Sequence, residues 1–211
     1  ARFPIMIFVN ADIILPENLL ENIYIASQKF KRFLIVGHRW DMDLDKIIDF
    51  DDKKDCDLFW ERVKTDSHRH ACTGIDYFIY KRYQWGKIPD FIIGRPGYDN
   101  WLIWKARHNL IPVIDVSTEI RAVHQNHDFN FHNLTADPKI VPEPDGIMNQ
   151  KLHQGRTLNL LDCNYHIENG KIYKNESKDY INRNLGKLPT IFPEFSSILI
   201  LYKKIYRRYF L

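Results

Sequence analysis

The sequence predicts an α/β fold: a mostly parallel, Rossmann-like sheet flanked by helices. Three observations carry this expectation. Short continuous apolar runs such as Pro4–Val9 (PIMIFV) and Phe33–Gly37 (FLIVG) have the length and composition of buried strands. Between them lies Pro16–Phe30, whose apolar residues recur at near-helical spacing, so the three segments form a strand–helix–strand unit with parallel strands. Polar residues with chemical potential then sit where the apolar runs end, which is where ligands bind in open α/β sheets.

Taken in order, Leu19, Leu20, Ile23 and Ile25 supply the apolar positions of the first helix. Residues 41–57 are acidic and predict a surface loop, and Leu58–Lys64 predicts a short helix. Gly74–Tyr80 (GIDYFIY) predicts a third strand. Gly94–Trp101 (GRPGYDNW) is punctuated by glycine and proline and runs into a helix ending near His108. Ile111–Val116 and Ile120–Gln125 predict two further short strands. Residues 126–156 are rich in Asn, His, Asp and Pro with little periodicity, which predicts a long functional or mobile loop. Leu160–Tyr173 carries a hairpin signal, with Asn169–Gly170 suited to a type I′ turn. On this reading a domain covers residues 1–175 and a basic, aromatic helical tail covers 176–211.

Composition narrows the function classes. A hydrophobic content of 45% over 211 residues can fill a core and excludes disorder over the whole length. The formal charge of +3 is small, and acids and bases are interspersed until the end of the chain, which argues against a nucleic-acid partner. Cys56, Cys72 and Cys163 make neither a disulfide framework nor a zinc motif, as expected in a reducing compartment such as the cytoplasm. No apolar run reaches bilayer length, and no signal peptide is expected. The chain opens on Ala1 and enters a strand almost at once, which reads as a piece of a longer protein.

Several constellations can carry chemistry. In NADIIL, Asn10 and Asp12 can both face a crevice if the backbone stays extended, and a carboxylate with an amide oxygen suits a hard divalent cation bearing diphosphate oxygens. On its own, so short a pattern reads as a turn or a helix cap. AVHQNHD places His124, His127 and Asp128 just past a strand, with His132 close by. A spacing of three suits one metal, although surface His clusters are common. Asp99 stands at the head of a helix, as a cap or as a base for an attacking hydroxyl. Gly74 would let a sugar or phosphate approach the backbone, and Asp76 would bond sugar hydroxyls or satisfy a loop. In GHRWDMDLD, Arg39 suits phosphate and Trp40 a stacked ring, while an Arg39–Asp41 salt bridge is the structural alternative.

Taken together, NADIIL, FLIVGHRWDMDL, GIDYFIY, IPDFIIGRPGYDNWLIWKAR, IPVIDV and AVHQNHDFN resemble glycosyltransferase-like proteins of the GT-A, nucleotide-diphospho-sugar transferase type. The resemblance runs from about Phe3 to Asn130 and continues weakly through the hairpin. It implies a GT-A-like domain in which Asp12 binds Mn²⁺ or Mg²⁺ against the donor diphosphate, with His124 or His127 completing the metal shell. It further implies Asp99 as the base of an inverting mechanism, and donor or acceptor contacts from Asn10, Arg39, Trp40, Gly74, Asp76, Asn100 and Trp101. Two departures stand out. The acidic motif begins with Asn rather than Asp, and the strands that bind the nucleotide base in GT-A folds are not found ahead of it, so the domain is expected to be N-terminally incomplete.

The tail SSILILYKKIYRRYFL sets Tyr202, Ile205, Tyr206 and Tyr209 at helical spacing beside Lys203, Lys204, Arg207 and Arg208. Such a helix either lies on an anionic membrane, suiting a lipid-linked or glycan acceptor, or packs on its own domain. The expected partners are therefore a nucleotide-sugar donor, a glycan or lipid-linked acceptor and, through the tail, a membrane surface. The rival readings are a non-catalytic glycan- or nucleotide-sugar-binding module and a metal-dependent hydrolase using Asp12, Asp99, His124 and His127.

Overall fold

The computed structural model of the protein describes residues 2–126 and 144–210. Its strands are β1 (Ile5–Val9), β2 (Ile13–Ile14), β3 (Leu34–Val36), β4 (Arg39–Met42), β5 (His68–Arg69), β6 (Tyr77–Lys81), β7 (Val113–Asp115), β8 (Ala122–Gln125), β9 (Tyr165–Glu168) and β10 (Lys171–Lys174). Its helices are α1 (Leu19–Lys29), α2 (Lys53–Asp66), α3 (Tyr98–His108), α4 (Pro144–His153), α5 (Lys178–Ile191) and α6 (Ser196–Phe210). The class is α/β, with helices flanking two mixed sheets.

The larger sheet has the order β1-β6-β3-β7-β9-β10 and the smaller one β2-β8-β4-β5. The expectation of a mostly parallel sheet is corrected here. Among the described residues, only β3–β7 and β7–β9 pair in parallel in the larger sheet, and only β4–β8 in the smaller one. β1 and β3 do point the same way, but each is antiparallel to β6, which lies between them. Tyr77, Phe78 and Ile79 of β6 are fully buried, as a central strand covered on both faces requires. An apolar run does not show which strand lies beside it, nor always burial: β1, expected to be a buried strand, lies at the sheet's edge, with Ile7 and Val9 exposed.

The strands of the larger sheet alternate between two cores. Leu34, Val36 and Phe78 face Trp101, Ile103 and Trp104 of the α3 side. Ile35, Ile79 and Ile114 face Leu19, Ile23 and Ala26 of α1. Each such fully buried side chain contributes roughly 1.5–3 kcal/mol, so the sheet holds α3 firmly in place. α5 is tied to the same helix: Trp104 Nε1 donates to the Thr190 carbonyl at 2.7 Å, and Arg107 donates to Asn184 Oδ1 at 2.7 Å.

Two segments expected to be loops are partly regular. Asp52 accepts from the Lys54 amide at 2.7 Å and so starts α2 within the acidic stretch. α4 forms within the polar 126–156 region. The hairpin turn is as expected, with positive φ at both Asn169 and Gly170 between β9 and β10.

Candidate functional site

The site follows from how the chain moves between the sheets. It leaves the larger sheet for the smaller one at residues 10–12, 37–38 and 116–121, and returns at 70–76. These crossings bring polar residues from distant parts of the sequence to one seam. Gly37 is required there: a Cβ would lie 2.1 Å from the buried Tyr77 Oη and 3.2 Å from Ser117 Oγ. Beside it the His38 amide donates to Ser117 Oγ at 2.8 Å.

A chain of acids and imidazoles occupies the seam. β2 pairs with β8 so that Ile13 stands opposite His124, and His124 Nε2 lies 3.4 Å from Asp12 Oδ2. β4 pairs with β8 so that Asp41 stands opposite His124, and Asp41 Oδ1 lies 3.0 Å from His124 Nδ1. Arg39 Nε lies 2.9 Å from Asp41 Oδ1 as an ion pair, and Asp41 Oδ2 hydrogen-bonds His70 Nδ1 at 2.6 Å. Arg39 Nη1 reaches Asp76 Oδ2 at 2.9 Å. Asp76 Oδ1 accepts from Asn10 Nδ2 at 2.7 Å, and Asn10 Oδ1 accepts from Tyr98 Oη at 3.2 Å. The whole series links Asp12 to the head of α3.

Asp99 lies in the first turn of α3, with Gly97 rather than Asp99 at the N-cap position. Burial raises its carboxyl from 3.8 to about 6, and the nearby Asp76 charge adds to the rise. Backbone N–H groups at the helix start pull in the opposite direction. Burial also lifts the Tyr98 hydroxyl above its ordinary value, and the charges of Asp99 and Asp76 reinforce this. The loop before α3 is held by Asn149, which is fully buried. Asn149 Oδ1 accepts from the Ile92 amide at 2.9 Å, and its Nδ2 donates to the Ile92 and Arg95 carbonyls at 2.9 and 3.2 Å.

Several expected contacts take another form. The backbone does not stay extended after Asn10: Ala11 and Asp12 form a turn, with the Ile13 amide on the Asn10 carbonyl at 3.3 Å. Asn10 therefore bonds Asp76 and Tyr98, and only Asp12 of the motif faces His124. Arg39 is engaged by two carboxylates, so the ion-pair alternative is what the geometry shows. Trp40 points away from the acid–imidazole chain because strand side chains alternate, and the Arg121 guanidinium lies 4.4 Å from its ring centroid. The space beside Gly74 is filled by the His70 ring, 2.2 Å from where a Cβ would sit. Asp76 is buried and spent on Asn10 and Arg39. Trp101 is buried against Phe91 and Trp104 and belongs to the core, where a ligand would not reach it. Asn100 Nδ2 donates weakly to the Thr73 carbonyl at 3.4 Å, tying α3 to the 70–76 crossing. His127, Asp128 and His132 lie outside the described residues.

His70, Tyr98 and Asn149 went unassigned in the sequence reading, and Asp41 was read only as a salt-bridge partner of Arg39. The strand pairings that give them partners join positions far apart in the chain, and the only local signal was Asp41 beside Arg39.

Asp12 and His124 are the residues that fit a metal. Two ligands at about 2.2 Å from one ion and at right angles are about 3.1 Å apart, close to the 3.4 Å between their donor atoms. One carboxylate oxygen and one imidazole nitrogen suit Mn²⁺ or Mg²⁺ less fully than a complete shell would. Among the described residues, no group of three or more His, Cys, Asp or Glu could hold an ion alone. An apolar hollow of about 200 Å³, lined by Phe8, Tyr80, Trp85, Phe91, Tyr98 and Leu102, opens beside the Tyr98 end of the series. A larger hollow of about 920 Å³ between the start of α1 and α2 contains none of the candidate residues, so chemistry rather than volume locates the site. No family model, curated protein or solved structure matches the chain.

Proposed function

We propose that this chain is the metal-side and acceptor-side part of a GT-A-type glycosyltransferase, moving a sugar from a nucleoside-diphosphate donor to an acceptor hydroxyl. The observation that supports this most is the meeting of Asp12 and His124, 3.4 Å apart at the seam, in a network that runs to the head of α3 where Asp99 is raised to about 6. Asp12 and His124 would hold a divalent ion, which when bound would supply charge stabilisation to a diphosphate leaving group. Asp99 accepts the proton of the acceptor hydroxyl. A carboxyl near 6 is mostly ionised at neutral pH yet more basic than an exposed aspartate, which suits a general base. Asn10 and Asp76 brace Tyr98, next to Asp99, and Asn149 fixes the loop that leads into it.

The hollow beside Tyr98 suits an apolar or ring-bearing part of the acceptor. On α6, Ile198, Leu201, Tyr202 and Ile205 are exposed at one-face helical spacing, in a segment whose sequence also carries Lys203, Lys204, Arg207 and Arg208. This supports peripheral contact with an anionic membrane and hence a lipid-linked acceptor.

The test is calorimetric titration of UDP and GDP, with and without Mn²⁺, into the wild type and Asp12→Ala. Metal-dependent nucleotide binding that Asp12→Ala abolishes is the expected result. Metal binding indifferent to nucleotide would favour a hydrolase, and sugar binding indifferent to metal would favour a binding module. Either result overturns the transferase reading.

A further inference from the structure

α4 lies against the approach to α3, and Asn149 is not the only side chain it brings there. One helical turn after Asn149, the His153 ring rests on Gly97, the residue that precedes α3. We infer that His153 is a second contact for the acceptor, a pyranose: its Nε2–H donates to the oxygen of the acceptor hydroxyl, while that hydroxyl donates to Asp99 Oδ1. The inference rests on the transferase reading above and adds to it an acceptor-side residue the sequence did not single out.

Two glycines shape the position. The ring edge comes so close that a Cβ on Gly97 would lie 2.7 Å from His153 Cδ2 and 3.0 Å from Nε2. Gly97 also has a φ of 101°, so glycine is required there on both counts. Past the end of α4, Gln154 and Gly155 both take positive φ, and the Gly155 amide turns back to donate to His153 Nδ1 at 3.0 Å. A backbone N–H only donates, so Nδ1 is the acceptor, and a neutral ring then carries its one proton on Nε2. Partial burial holds the imidazole below its ordinary value, which keeps the ring neutral at pH 7.5.

The complementary group is built on the same residue. The Asp99 carboxyl draws backbone hydrogen bonds from the first turn of α3, Gly97 among them, yet its Oδ1 is buried and has no partner among the described residues. Among the described residues, Gly155 is also the one hydrogen-bond partner of the His153 ring, and it takes Nδ1. The head of α3 therefore offers one acceptor oxygen and one donor N–H. A hydroxyl donates once and accepts twice, so it satisfies both groups and keeps a lone pair for attack. An anion would meet the Asp99 charge, and an ammonium group has no lone pair for the Nε2–H.

Methyl glucoside, methyl galactoside and methyl mannoside are titrated into the full chain, with binding read by saturation transfer to the sugar, for the wild type, His153→Phe and His153→Gln. At least one glycoside is expected to bind the wild type. His153→Phe keeps a ring on Gly97 but loses the donor, and should weaken that binding about 3–10-fold. His153→Gln replaces the Nε2–H with an amide N–H and should retain most of the affinity. Equal binding by His153→Phe would show that the ring only packs, and it overturns the inference; so does a wild type that binds none of the three sugars. Both outcomes leave the transferase reading to the UDP and GDP titration, which decides it separately. A second measurement needs no sugar. In a long-range ¹H–¹⁵N spectrum of the wild type at pH 8, with His153 assigned by the loss of its signals in His153→Gln, Nε2 is protonated and Nδ1 bare. A ring protonated at Nδ1 overturns the inference.

Discussion

At the scale of single residues, Asp99 as the proposed base would couple activity to stability. Its carboxyl moves from 3.8 to about 6 on folding, so the native state holds the proton more tightly than the unfolded chain. The ionised form therefore costs stability, with no penalty below about 3.8, a penalty growing between 3.8 and about 6, and a constant one above that. With about 1.4 kcal/mol per pKa unit, the full penalty is at most about 3 kcal/mol. Asp99→Asn should raise the melting temperature at pH 7.5, an advantage that shrinks to nothing near pH 4. The same substitution should lower kcat by about 10²–10⁴-fold. Wild-type turnover should rise with pH along a limb centred near 6. A destabilised Asp99→Asn protein at pH 7.5 would count against burial as the origin of the shift. Asp12, Asp99 and His124 were legible because each stands where an apolar run ends or a helix begins. His70 was not, nor was Asp41 beyond its pairing with Arg39: their remaining partners are set by β4 pairing with both β5 and β8, and neither pairing is written locally.

At the scale of elements, the site depends on turns and clamps that carry no apolar signature. Asn149 spends its side chain on the backbone of residues 92–96, holding the approach to α3. Asn149→Ala leaves the Ile92 amide and carbonyl without these partners, which should cost about 1–3 kcal/mol in denaturant unfolding. It should also accelerate hydrogen exchange at the Ile92 amide far more than in the β6 core. Unchanged exchange there would show that the loop is held by something else. Gly37→Ala should be worse, because the added Cβ meets a tyrosine ring that is fully buried and unable to retreat. Apolar patterning identified β3, β6, α1 and α3 because each buries an apolar face, and it found β1 by its apolar run although that strand lies at the sheet edge with Ile7 and Val9 exposed. It missed β2 and β5, at two residues each, and β4, whose sequence RWDM is polar on the face that meets His124. Strand order escaped it as well, since β6 comes between β1 and β3 from far along the chain.

At the scale of the whole molecule, the question is what the C-terminal end contributes. α5 is pinned to α3, and α6 continues from it with Ile198 69% and Leu201 59% exposed. Burying such residues in a lipid interface is worth roughly 1.5–3 kcal/mol each, and each basic residue near an anionic surface adds about 1 kcal/mol. Among the described residues no helix is long and apolar enough to cross a membrane, so the contact would lie in the interface plane. The protein should therefore sediment with vesicles containing phosphatidylserine and remain in the supernatant with purely zwitterionic ones. Raising salt to 0.5 M, where the screening length falls to a few ångströms, should release most of it. Ile198→Ser with Leu201→Ser should weaken binding about tenfold or more, since it removes apolar area while leaving every charge in place. The pair tests the apolar face independently of the basic residues, whose replacement would be confounded by a change in net charge. If the double variant binds as well as the wild type, the attraction is purely electrostatic and α6 does not enter the interface. If neither protein binds, the exposed stripe must be covered in some other way, and an acceptor presented from a lipid loses its main support.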